Sequence, residues 1–255
     1  MVLAHPVTVT GDLLAWLVRA EGLGELHPVL RPAVRWVPRA GHEEVEGRYL
    51  EELGRFGAVD RRGRLDVEVL ASLAVLCRAA TEFWAFIEVG GAVRGVLVAA
   101  VGAERVLAIR DANSVWLSQV RQRKLVEALV AQAPEVAAGR CRVVTVRRSD
   151  LLTTRAGRQR TATGVILRPA DAAVLEVQRV AALRHTGGGE MFMGVRDGAG
   201  GYRMVDQPLR YVDTKNGRFL NRVMTEAGEA RVRVGPGGRA DLVRQLMEMH
   251  RSLVR

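Results

Sequence analysis

Between Glu82 and Val120 the apolar period drops to two, and no other feature constrains the fold as much. Glu82–Val89, Val93–Val101, Arg105–Arg110 and Ser114–Val120 each read as a strand, separated by Gly90-Gly91, Gly102-Ala103 and Ala112-Asn113. A parallel crossover needs about a dozen residues or more, so connections this short allow only antiparallel neighbours, a meander. Helical patterns flank it. Asp66 is placed to cap a helix carrying Val69, Leu70, Leu73, Leu76 and Cys77 on one side, and Arg121–Ala133 closes the run with Leu125, Val126, Leu129 and Val130 apolar.

Upstream, Pro6–Thr10 alternates like a short strand, and Asp12 is expected to cap a helix with Leu13, Leu14, Leu17 and Val18 on one face. Pro28, Pro32 and Pro38 break the next stretch into an irregular connection. Glu43–Phe56 reads as a helix whose buried stripe is Val45, Tyr49, Leu50, Leu53 and Phe56, and Asp60–Gly63 reads as a turn.

The second half repeats the plan. Cys141–Val146 is a strand, Ser149–Gly164 a polar basic loop, and Ala170–Leu183 a helix. Then come Glu190–Arg196, Tyr202–Val205, Leu209–Thr214, Arg218–Met224 and Ala230–Val234 as strands, and Arg239–Leu253 as a closing helix. Asn216-Gly217 reads as a two-residue hairpin turn. At an offset of 117, Val115 and Leu117 align with Val232 and Val234, and Leu125, Val126 and Leu129 with Leu242, Val243 and Leu246. The expectation is one domain over 1–255 with pseudo-repeats 1–133 and 134–255: an α/β protein of the α+β type, its central antiparallel sheet packed by helices.

The 48% hydrophobic content excludes a disordered chain. Two cysteines, Cys77 and Cys141, exclude a disulfide-stapled mini-domain and a four-cysteine zinc site. No secretory leader pattern precedes Asp12, and the longest apolar run, Val96–Val101, is too short to span a bilayer, so a cytoplasmic protein is expected. Charge is uneven. Residues 1–133 are balanced at 16 basic and 16 acidic, whereas 134–255 hold 22 basic and 12 acidic. Residues 140–168 alone carry eight arginines against Asp150. That segment is the one feature favouring an alternative reading as a nucleic-acid-associated protein, though no aromatic residue is interleaved with it.

Catalytic constellations are missing from the pattern. His5, His27, His42, His185 and His250 are scattered without metal-ligand spacing and read as surface or capping residues. Cys77 on an apolar helix face reads as an inert thiol. Gly187-Gly188-Gly189 follows a helix and precedes a strand, the wrong order for a phosphate loop. Gly235–Gly238 has the right order but lacks the lysine and hydroxyl of such a loop, and Asp241 serves better as a cap. No enzyme, cofactor or metal is expected.

Several segments stand together: Leu13-Leu14-Ala15-Trp16 with Gly22-Leu23-Gly24 and Pro28-Val29-Leu30, Tyr49–Leu53, Gly63-Arg64-Leu65, Arg184–Gly189 before Val195-Arg196-Asp197, Tyr211–Thr214 and Asn216-Gly217-Arg218. In their order and pattern they resemble the EspG family of ESX (type VII) secretion-associated proteins of actinobacteria. The resemblance implies a cytosolic chaperone with a central antiparallel sheet, helical bundles and quasi-twofold halves. It implies a client, a PE–PPE heterodimer whose exposed hydrophobic helical tip is bound by the sheet and the C-terminal helical part. Absence of a membrane or nucleic-acid partner is expected from the short apolar runs and the charge pattern, and no family motif assigns contact residues one by one.

Strand alternation suggests some. Glu82 and Glu88 mark one side of the first meander strand as outer, which places Trp84 and Phe86 there. Trp116, aligned with Arg233, is expected outside as well, with Phe192 and Arg196 outside on their own strand. Aromatic and arginine side chains on an outer face are the types that dominate interface energetics. The six expected client contacts are therefore Trp84, Phe86, Trp116, Phe192, Arg196 and Arg233. The alternative left open is that helices or loops cover that face and the rings are ordinary core aromatics.

Overall fold

The computed structural model describes residues 1–33, 42–55, 58–59, 64–121, 124–156 and 171–254. In chain order the elements are β1 (Val7–Thr10), α1 (Gly11–Ala20), α2 (His42–Arg55), α3 (Val67–Cys77), β2 (Thr81–Val89), β3 (Ala92–Val101), β4 (Glu104–Asp111), β5 (Ser114–Gln119) and α4 (Leu125–Val130). There follow β6 (Val144–Arg147), α5 (Arg148–Ala156), α6 (Ala172–Ala181), β7 (His185–Arg196), β8 (Tyr202–Met204), β9 (Leu209–Thr214), β10 (Gly217–Glu226), β11 (Glu229–Pro236) and α7 (Arg239–Val254). A 3₁₀ turn, Pro28–Leu30, lies between α1 and α2.

The chain forms two compact units, one of Met1–Ala133 with Met193–Met204 and Leu253–Arg255, the other of Pro134–Phe192 with Val205–Ser252. In the first, antiparallel strands follow the order β1-β5-β4-β3-β2, then the end of β7, which carries β8. Trp84 pairs with Leu97, Leu97 with Ala108 and Ala108 with Leu117. Ala85 pairs in the same way through Val96 and Ile109 to Trp116. Directly paired residues share a face, so these two rows lie on opposite sides of the sheet. Both sides are dry: Phe83, Ala85 and Ile87 are buried on one, Trp84, Leu97 and Leu117 on the other. The 3₁₀ turn covers the Trp84 side. A Cβ at Gly95, the partner of Phe86, would lie 2.5 Å from the Val29 carbonyl oxygen, and Arg110 Nε donates to that oxygen at 2.9 Å.

In the second unit the order is β7-β9-β10-β11-β6. Val174, Val177 and Val180 of α6 pack against Val146, Phe219, Val232 and Val234 on one face. On the other, Glu248 of α7 reaches Arg222 of β10 at 3.7 Å.

Several local expectations change. Thr10 rather than Asp12 caps α1, its hydroxyl accepting the Leu13 N–H at 3.2 Å. The strand runs straight into the helix, which leaves Asp12 in the first turn. Asp66 caps α3 as expected. Leu50 is exposed, because among the described side chains of that helix only Leu53 turns fully inward. The three glycines 187–189 lie within β7 and pair with β9. Residues 149–156 are helical in α5 and not loop, while 157–164 lie outside the described residues, as do Phe56 and the Asp60–Gly63 turn. Asp241 is the third residue of α7, where its carboxylate accepts the Gly238 N–H at 3.0 Å, the backward half of a capping box.

Candidate functional site

The six expected contact residues do not share one face. Trp84 is 7% exposed, set under the chain segment that enters the 3₁₀ turn, with the His27 ring edge-on to it at 4.9 Å. The expectation of an outer Trp84 is corrected, because Glu82, the charge that marked its side as wet, is itself only 4% exposed. Phe86 is half-buried on the same side as Trp84. Trp116 is half-buried on the opposite side, so the expectation that it shares a face with Trp84 and Phe86 is also corrected. In the second unit Phe192 and Arg233 are both half-buried. Met191 pairs with Leu209, Leu209 with Arg222 and Arg222 with Arg233, so Phe192, next to Met191, lies on the face opposite Arg233.

Arg196 is exposed and belongs to a cluster within the first unit that local pattern does not reveal. Its guanidinium lies 4.6 Å from the centroid of the Tyr202 ring. The Tyr202 hydroxyl donates to Glu82 Oε1 at 2.5 Å. The same oxygen lies 3.9 Å from His27 Nε2, and His27 Nδ1 accepts the Val29 N–H at 3.2 Å. Burial, reinforced by Arg31 and Arg196, holds His27 neutral by lowering its pKa to about 4. Burial raises the Glu82 pKa, with the Tyr202 hydrogen bond and Arg196 opposing. The Tyr202 hydroxyl is pushed up by burial and by Glu82. The cluster is a strut: it fastens the β8 hairpin and the 3₁₀ turn to β2. Tyr202 and Met204 stay 39% and 45% exposed beside Arg196, an apolar-and-cationic patch that sequence reasoning missed. The one available signal was alternation, which places 202 and 204 on the same side of a short strand.

Burial raises the Cys77 thiol to about 11, which keeps it protonated and unreactive at neutral pH. Among the described residues no group of three His, Cys, Asp or Glu side chains comes together to hold a metal. No helix among them is long and apolar enough to cross a membrane.

The EspG family model matches residues 10–248 of this chain. Among solved structures, the Mycobacterium tuberculosis type VII secretion system chaperone EspG5, in complex with a PE25–PPE41 dimer, is similar over 98% of this chain and 97% of that one. The TM-score is 0.67 at 15% identity, a likeness of fold. No curated protein matches. The family match spans nearly the whole sequence, both units included, and on that ground the chain belongs to the EspG family.

Proposed function

We propose that this chain is a cytoplasmic, non-catalytic chaperone of a type VII secretion system. It binds an exposed apolar helical tip on a PE–PPE-type heterodimer, keeps the heterodimer soluble and directs it to its secretion machine. The observation that carries this reading is the family match over residues 10–248, joined to end-to-end similarity with a chaperone solved together with such a dimer. In the first unit the side chains offered for docking are those of the exposed patch, Arg196, Tyr202 and Met204, since Trp116 lies on the opposite side of that sheet; in the second unit, taken by itself, Arg233 is offered, with Phe192 on the opposite face. Trp84 is excluded from that set by its burial.

Co-expression with PE–PPE pairs from the same genome tests the reading. The expected result is a heterodimer whose soluble yield rises when the chain is present and that elutes with it in size-exclusion chromatography. Unchanged solubility and separate elution for every pair would remove the proposal.

A further inference from the structure

On one face of the β10–β11 ladder two arginines stand directly opposite each other. Arg222 pairs with Arg233, and one step along the same face Arg231 pairs with Arg147 of β6. Like charges opposed across a sheet destabilise it unless each finds a counter-charge. Three of these arginines have one. Glu248 Oε1 lies 3.7 Å from Arg222 Nη1, Glu226 Oε2 lies 3.5 Å from Arg231 Nε, and Glu229 Oε2 lies 3.0 Å from Arg147 Nε. Arg233 is half-buried, and among the described residues it has no carboxylate, hydrogen bond or ring partner. Burial pushes the Arg222 guanidinium below its usual value; Glu248 opposes that shift and Arg233 adds to it. Among the described residues one uncompensated positive charge is therefore left on this face.

We propose that Arg233 is the docking point for a single carboxylate on the client, an Asp or Glu side chain gripped by the guanidinium fork, with Arg222 beside it. The inference rests on the client-binding reading and adds the chemistry of one contact. A guanidinium matches a carboxylate with two parallel hydrogen bonds, a specific and oriented grip. A nucleic acid fits poorly. Duplex phosphates arrive at about one charge per 1.7 Å of axis and need a row of free cations. Here the neighbouring arginines are already matched, and Glu226, Glu229 and Glu248 repel further phosphates. One net positive position beside three carboxylates selects one acidic side chain.

Two arms test this. In the first, the heterodimer isolated by co-expression is titrated calorimetrically against Arg233→Gln and Arg147→Gln. The expected loss is about 10- to 100-fold for Arg233→Gln, the worth of a charge-assisted hydrogen bond. Arg147→Gln removes an exposed pair and changes affinity by less than about fivefold. Arg233→Gln removes an unpaired charge facing Arg222, so the variant keeps its fold, which a thermal melt verifies. In the second arm, N-acetylglutamate amide is added to the ¹⁵N-labelled chain and the arginine Nε–Hε signals are followed. The Arg233 signal shifts and saturates, while that of Arg147 stays in place. Heterodimer affinity indifferent to Arg233→Gln, an unmoved Arg233 signal, or displacement of the amide by oligothymidylate would each overturn the proposal. If no heterodimer binds at all, the chaperone reading falls, and the second arm still decides whether Arg233 takes a carboxylate.

Discussion

Arg218 is 2% exposed, and its neighbours meet what a buried guanidinium demands. Nε and Nη2 donate to Asp213 at 2.6 and 2.9 Å, Nη2 also to the Pro134 carbonyl at 2.8 Å, and the Tyr211 ring lies 4.2 Å away. Desolvating two ions costs several kcal/mol each, so the pair is stabilising chiefly by comparison with a broken one. Arg218→Met strands a buried Asp213 and is expected to remove about 3–5 kcal/mol in urea unfolding. Adding Asp213→Leu should restore most of that loss; a single-variant loss below about 1 kcal/mol would contradict this reading of the pair. Asp213, five positions before Arg218 across the hairpin, is a partner the sequence shows, but the burial of the pair is not legible, since the further acceptor, the Pro134 carbonyl, is 84 positions away. Trp84 misleads for the same reason. Glutamates at 82 and 88 mark its side as wet, but Glu82 is dry because Tyr202, 120 positions on, supplies its hydrogen bond. Pairings that distant leave no trace in local periodicity.

At the scale of elements, the β2–β5 meander is legible because alternation and short connections act together. Helix α4 is shorter than its apolar pattern, beginning at Leu125, and Lys124 before it provides no side-chain cap. The 3₁₀ turn over Trp84 is read only as a proline-broken connection, because proline marks where a helix stops and not which face the chain then covers. The β9–β10 hairpin shows what a short signal hides. Its turn residues are Lys215 and Asn216, and Gly217 follows at φ +102° as the first residue of β10. A Cβ there would also lie 2.8 Å from the Ala137 oxygen and from the Gly139 backbone. Gly228, at φ +80°, has open space around it. Gly228→Ala is therefore expected to lose about 1–2 kcal/mol from conformation alone. Gly217→Ala should lose about 1–3 kcal/mol more from overpacking. Denaturant unfolding of the two variants measures the difference, and equal losses would show that the 137–139 segment yields freely.

At the scale of the whole molecule, we propose that the two units are repeats of one plan. In each, a strand preceding the first helix pairs with the last strand of the meander, β1 with β5 and β6 with β11. The aligned residues Val115, Leu117, Val232 and Val234 are all buried, which supports that reading. The positive balance belongs to the second half, where most of the described arginines on the β10–β11 face are matched by glutamates. A net charge of +10 is thus no guide to a nucleic-acid partner here. We propose that this EspG-family chain docks a PE–PPE-type heterodimer through apolar surface with one oriented charge contact. Calorimetric titration of the purified chain with such a heterodimer, at low and at raised salt, addresses it most directly. The prediction is saturable binding with a negative heat-capacity change and an affinity that weakens only modestly with salt. No binding to any heterodimer, or binding only to oligonucleotides with affinity falling steeply with salt, would contradict it.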